Sequence, residues 1–219
     1  MTGNRKPSQR WAAVCIGLLT IIGSTYVEAQ SDKPNVVIIY FDDTGWTDFG
    51  CFGGKVETPY IDQLAGEGMR FTEYYAPAPN CSPSRAGLLT GRFPFRVGMY
   101  SYIPANSVMH LPDSEVTIAE VLKAEGYSTG MFGKWHLSGL QSNQPTPDKQ
   151  GFDYWFACDN NLVKRNPRGL YRNGQPAGET SGWAAQVVAD EANEWMRKQQ
   201  CPFFAYIAFS ETHSPHDAP

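Results

Sequence analysis

Apolar residues in this chain come in short blocks with two different periods. Asn35 to Tyr40, NVVIIY, is an unbroken β-branched run with no polar alternation. That pattern suits a strand buried on both faces of a mainly parallel sheet. Pro202 to Phe209, PFFAYIAF, reads as a second strand of the same kind. Between Trp183 and Lys198 the period changes, with Val187, Val188, Ala192, Trp195 and Met196 recurring at helical spacing and Arg197 and Lys198 at the negative end of the dipole. Thr58-Pro59 opens another helix that runs to about Glu67, with Ile61, Leu64 and Ala65 on one face. A further helix is expected from about Thr117 to Ala124, capped by Asp113 or Ser114 and ended by Gly126. Met69 to Ala76, with its FTEYY string, predicts a short strand whose aromatics belong to the core, and Pro77 and Pro79 then hold the chain extended. Gly126 to His136, GYSTGMFGKWH, predicts a strand entering a tight glycine turn. Phe93 to Pro112 reads as a long loop of the sort that lines active sites, with His110 an ordinary loop histidine. Gln141 to Pro147 reads as a loop, and Lys164 to Gly178 as a loop or hairpin. Alternating strands and helices predict an α/β fold, with a mainly parallel or mixed central sheet flanked by helices.

The N-terminus follows a different pattern. Arg5, Lys6 and Arg10 precede the apolar run Trp11 to Gly23, and Val27-Glu28-Ala29 suits a cleavage site. Residues 1–29 therefore read as a signal peptide, since the run falls short of the ~20 residues a membrane span needs. An uncleaved anchor is the alternative. Export to the periplasm or outside the cell is expected, with no stable membrane span after cleavage. Residues 30–219 keep 15 basic and 21 acidic side chains, a net charge of 15 − 21 = −6, which argues against a nucleic-acid partner. Cys51, Cys81, Cys158 and Cys201 remain, too sparse for a disulfide scaffold.

Chemistry concentrates at four places. In CSPSRAGLLTGR, residues 81–92, Pro83 suits a helix's first turn, so Cys81 sits at the positive mouth of that helix with Arg85 able to reach back. Such a thiol can be a nucleophile, a metal ligand, a target of modification, or simply a half-buried structural cysteine. Asp42 and Asp43 adjoin at the end of the first buried run, where a hard-metal site and a solvated turn are equally consistent with the spacing. Lys134 and His136 flank Trp135 and can share one side of an extended chain, although the pair alone also suits a surface. His213 and His216, three apart after the last strand, could equally be a zinc pair.

Taken together these strings resemble the sulfatase family. The family's Cys-x-Pro-x-Arg motif with its following Thr-Gly matches Cys81, Pro83, Arg85, Leu88, Leu89, Thr90 and Gly91. DDTGWTDFGCFG, GYSTGMFGKWH, the Gly151-Phe152-Asp153 string and the T-H-x-P-H string at 212–216 match supporting segments, while Asn80 and Phe132 depart from the usual pattern. The resemblance implies an alkaline-phosphatase-like fold, incomplete at the C-terminus, in which 30–219 is the N-terminal part of a catalytic domain. It implies a sulfuric ester hydrolase acting on a sulfated carbohydrate or aryl sulfate. By the same resemblance a maturation enzyme converts Cys81 to formylglycine, the nucleophile. Calcium, with magnesium as alternative, is then held by Asp42, Asp43 and residue 81. Arg85 and Lys134 hold the aldehyde-hydrate and sulfate oxygens. His136 takes a proton from the nucleophile's second hydroxyl, and His213 touches the sulfate and protonates the leaving oxygen. Asn160 or Asn161 lines the site, and Arg165, Arg168 and Arg172 are polyanion contacts or solvated loop charges. The family's remaining metal ligands and a further lysine lie later than Pro219, so this chain alone is expected to bind calcium weakly and turn over little. A phosphonate or phosphate ester hydrolase of the same superfamily, and a non-catalytic truncated product, are the competing expectations.

Overall fold

The apolar blocks become strands because an extended, β-branched backbone can only satisfy its N–H and C=O groups against neighbours. In the computed structural model, which describes residues 33–140 and 143–217, β1 (Val36–Tyr40), β2 (Ser128–Lys134), β3 (Tyr154–Cys158) and β6 (Phe203–Ala208) pair in parallel in the order β1-β6-β2-β3. The hairpin β4 (Tyr171–Arg172) and β5 (Gln175–Pro176) adds two antiparallel strands beyond β3. It turns on Asn173-Gly174, both at positive φ, as a two-residue hairpin requires. The sheet is thus mixed, as expected. The signal-peptide reading of residues 1–29 lies outside the described residues. No helix among the described residues is long and apolar enough to cross a membrane.

Successive strand residues feed two cores. Met131, Trp155, Phe204 and Tyr206 face α2 (Cys81–Thr90) and α3 (Ile118–Ala124) through Ala86, Leu89 and Ala119. Phe132, Phe156, Ala205 and Ile207 face α4 (Ala184–Arg197) through Ala184, Val188 and Ala192. The period-2 strands and the period-3.6 helices thereby bury matching faces. Phe132 fills its slot against Tyr154 and Trp195.

Several expectations need correction. β1 is buried on one face only: Val37 and Ile39 are 43% and 51% exposed, because β1 is an edge strand and α4 lies over β2 and β6. Residues 69–76 form no strand, since no strand among the described residues pairs with them. Phe71, Tyr74 and Tyr75 are exposed rather than core, with Phe71 and Tyr74 resting on each other. Helix α1 (Pro59–Glu67) has the expected bounds but buries nothing fully; Asp62 instead accepts from the Cys51 N–H and the Thr58 hydroxyl. The cap of α3 is Thr117, not Asp113 or Ser114. Its hydroxyl accepts from Glu120 N while Glu120 Oε2 accepts from Thr117 N, the reciprocal box announced by T-x-x-E. Gly133 lies within β2 rather than in a turn. At φ +94° it lets the neighbouring strand close in, and a Cβ there would sit 2.1 Å from the Ala208 carbonyl oxygen.

Candidate active site

Because β1, β2 and β6 run parallel, their carboxyl ends open at one edge, and the charged residues follow them there. The chain beyond β1 is stitched to the chain beyond β6: Asp42 N donates to Glu211 O (2.9 Å), Thr212 N to Asp42 O (2.7 Å) and Thr212 Oγ1 to Asp43 O (3.2 Å). Asp43 takes φ +57°, which sends the two carboxylates apart. Asp42 turns inward and is 4% exposed; Asp43 faces outward.

Asp42 meets two buried cations. Lys134 Nζ donates to its Oδ2 at 2.6 Å, and Arg85 Nη2 lies 3.5 Å from its Oδ1. Burial works to raise the Asp42 pKa, but Arg85 and then Lys134 outweigh it and hold the carboxyl below its ordinary value. Lys134 Nζ also donates to Asn161 Oδ1 at 2.7 Å, which fixes the amide so that its Nδ2 faces the His213 ring. Asn161 Nδ2 lies 2.9 Å from His213 Nδ1 and 3.3 Å from Nε2; Nδ1 is also 2.6 Å from the Ser214 carbonyl oxygen, and Nε2 faces Asp43 Oδ2 at 3.5 Å. Of the two asparagines left open by sequence, Asn161 is therefore the one in the cluster. No sequence signal separated it from Asn160.

Cys81 is the first residue of α2 and half-buried, with Asn80 as the extended N-cap. It is close enough to Arg85 and Tyr40 to act on the charge of each. Arg85, fully buried, donates Nη1 to the Lys134 carbonyl (2.7 Å) and the Tyr206 hydroxyl (3.3 Å) and lies over the Tyr40 ring. Its Nε and Nη2 have no hydrogen-bond partner among the described residues. The 93–112 loop reaches this site through one residue that sequence did not single out. Ile103 N donates to Ser82 Oγ (3.0 Å), and Ile103 O accepts from His136 Nε2 (2.9 Å).

That bond fixes the His136 tautomer, with the proton on Nε2 and a buried Nδ1 lone pair that has no hydrogen-bond partner among the described residues. Burial, then the nearby Lys134 and Arg85 charges, push its pKa down to about 4, against the opposing Ile103 bond. Since an unfolded histidine titrates near about 6.5, above that pH both states are neutral. As pH falls towards about 4, the unfolded chain gains a proton the folded one refuses, and stability is lost. We expect roughly 3 kcal/mol of such loss in the full-length protein, absent in His136→Asn, from urea unfolding across this range. Parallel pH profiles for the two proteins would contradict it.

Other candidates fall outside the cluster. Arg172 is committed to both oxygens of Glu191 (2.8 and 2.7 Å), Arg165 lies over the Trp183 ring, and Arg168 is exposed. His110 bonds the Val108 carbonyl and stays apart. His216 is exposed. Among the described residues no group of three or more His, Cys, Asp or Glu could hold a metal, so the zinc pair lacks further ligands. A cavity of about 550 Å³ lined by Gly50, Cys51, Asp62 and Arg70 shares none of the cluster's residues. The four described cysteines are free thiols.

Residues 34–219 match the family model described as Sulfatase. The chain is 38% identical over 219 residues to N-acetylgalactosamine-6-sulfatase of Sus scrofa, covering 86% of this chain and 41% of that one. It is 38% identical over 224 residues to arylsulfatase A of Homo sapiens, covering 85% and 43%. It therefore spans about two fifths of the length of these relatives. Among solved structures, Ps i-CgsB in complex with k-i-k-neocarrahexaose superposes with a TM-score of 0.78 at 29% identity, covering 85% of this chain and 47% of that one.

Proposed function

Because this chain belongs to the sulfatase family, we propose that it forms the nucleophile-bearing part of an exported sulfuric ester hydrolase, periplasmic or secreted, acting on a sulfated carbohydrate. The observation behind this reading is the convergence of Arg85, Lys134, Asn161 and His213 on the chain ends beside Cys81. The substrate class is supported by a relative named for a sulfated amino sugar and by a structural neighbour solved in complex with k-i-k-neocarrahexaose.

Sulfate ester cleavage needs a nucleophile in line with the S–O bond, positive charge about the sulfuryl oxygens, and a proton for the leaving alkoxide. The donor set suits an oxygen-bearing group at position 81. Buried Arg85 offers two N–H-bearing nitrogens that make no hydrogen bond among the described residues, and His136 Nδ1 offers an acceptor. A formylglycine made from Cys81 by a maturation enzyme supplies, when hydrated, one hydroxyl to attack sulfur and a second whose deprotonation releases sulfate. The Asp42 and Asp43 carboxylates are hard oxygen donors of the kind calcium takes, although Asp42 is already balanced by cations and the two together fall short of a full calcium shell. Calcium held there, or magnesium in its stead, supplies charge that polarises a sulfate oxygen.

This chain's own residues do the rest. Arg85 donates to oxygens at position 81. Lys134, with Asp42 and Asn161 occupying two of its three N–H groups, turns the third to a sulfate oxygen. His136, neutral and with Nδ1 free, takes the proton from the second hydroxyl. His213 gives its Nε2 proton to the leaving oxygen, the ring held beside Asn161, Ser214 and Asp43.

The test is hydrolysis of aryl sulfate against aryl phosphate by the full-length protein, together with hydrazide capture of an aldehyde on the peptide containing residue 81. Preference for sulfate with a captured aldehyde is expected. Preference for phosphate would move the reading to a phosphate or phosphonate ester hydrolase, and no turnover of either to a non-catalytic protein.

A further inference from the structure

Lys164 belongs to none of the motifs above, yet its ammonium is buried beside the turn that bears His213. The residue is 5% exposed. Its Nζ donates to the Ser210 carbonyl at 2.5 Å and the Ser210 hydroxyl at 3.4 Å, and no carboxylate among the described residues forms an ion pair with it. A buried ammonium without a counter-charge is costly, and a methionine would fill the same space at less cost. The cation must therefore be kept for what it donates to. The Ser210 carbonyl also accepts the His213 backbone N–H (3.2 Å), so one oxygen ties the lysine to the start of the His213 turn. The lysine is itself anchored from behind. Its carbonyl accepts from Ala184 N at 2.8 Å, the first residue of α4, and Arg165 bridges to Trp183.

We propose that Lys164 is a positioning residue for departure of the alcohol: its ammonium holds the Ser210 carbonyl, and through it the backbone of His213, so that the imidazole faces the leaving oxygen. Loss of that hold lets the turn shift, and a shift of about 1 Å is enough to cost a proton transfer its alignment. The inference rests on the sulfatase reading. It adds to it a residue from the segment between β3 and β4 and a structural link from α4 to the acid.

The experiment compares full-length wild type, Lys164→Met, Lys164→Arg, His213→Ala and the Lys164→Met/His213→Ala double variant. The substrates are para-nitrophenyl sulfate, whose leaving group needs no proton, and an alkyl sulfate, whose leaving group does. Lys164→Met is expected to lower kcat/KM for the alkyl sulfate by about tenfold or more, a share of the 10² to 10⁴ a positioned acid supplies, while sparing the nitrophenyl ester within about threefold. Lys164→Arg should recover part of the loss. In the His213→Ala background, Lys164→Met should add nothing, since the two act as one unit. Equal losses on both esters, or full additivity with His213→Ala, would overturn the proposal by making Lys164 a general support of the fold. An inactive wild type would instead sink the sulfatase reading, and this inference with it.

Discussion

Asp42→Asn is expected to destabilise the full-length protein by about 3 to 5 kcal/mol, the range found when one partner of a buried charge network is removed. Asp42 is 4% exposed, and the two cations it faces, Arg85 and Lys134, are fully buried. With the carboxylate in place the trio has a net charge of +1; with asparagine it has +2 and no anion to compensate. Asparagine keeps the volume and one acceptor, so the loss reports charge rather than a cavity. The exposed Glu194–Lys198 pair on α4 serves as control, since such pairs contribute about 0.5 kcal/mol at most. Urea unfolding at neutral pH should move the midpoint with an unchanged slope. A shift worth under about 1 kcal/mol would mean that solvent screens the trio and that the site is wetter than its burial implies.

The same trio marks the boundary of what sequence reveals. That NVVIIY and PFFAYIAF would be strands, and that Asp42, Lys134 and His213 would follow strand ends, can be read from local pattern, because parallel strands deliver their carboxyl termini to one edge. Which strand lies at the sheet edge cannot be read locally. Val37 and Ile39 have the same run of side chains a central strand would have, and only the strand order exposes them. The FTEYY stretch fails for a related reason: β propensity proposes a strand, but a strand needs a partner to pair with. Gly133 looked like a turn because glycine usually marks one, whereas here it is the close approach of the Ala208 carbonyl that demands it.

Within the site, the motif residues were legible because their spacing follows single elements. Arg85 lies one helical turn past Cys81, and Lys134 closes β2. Asn161 was legible only as one of two neighbours, and Ile103 and Lys164 not at all, because each acts through a contact distant in sequence. Asn161 meets His213 at a separation of 52 residues, Ile103 meets His136 at 33, and Lys164 meets Ser210 at 46. Two of these three use backbone carbonyls, which leave no trace in residue identity.

Cys81→Ser in the full-length protein should cut steady turnover of an aryl sulfate by at least about 10³, the scale of losing an activated nucleophile. On the proposed reading, the thiol is the precursor of an aldehyde whose hydrate has two hydroxyls, and serine offers one. The single hydroxyl keeps the helix-mouth position and the neighbouring guanidinium, so it can still accept the sulfuryl group from the ester. With no second hydroxyl for His136 to deprotonate, the enzyme then stops. The expected result is a burst no larger than one product per site, followed by near silence, with sulfate retained on the peptide containing residue 81. Cys81→Ala should give neither burst nor turnover. Because Cys81 is half-buried in the first turn of α2, both variants should unfold within about 1 kcal/mol of wild type, separating lost chemistry from lost fold. Sustained turnover by Cys81→Ser would contradict the two-hydroxyl account, and sustained turnover by Cys81→Ala would remove residue 81 from the chemistry altogether.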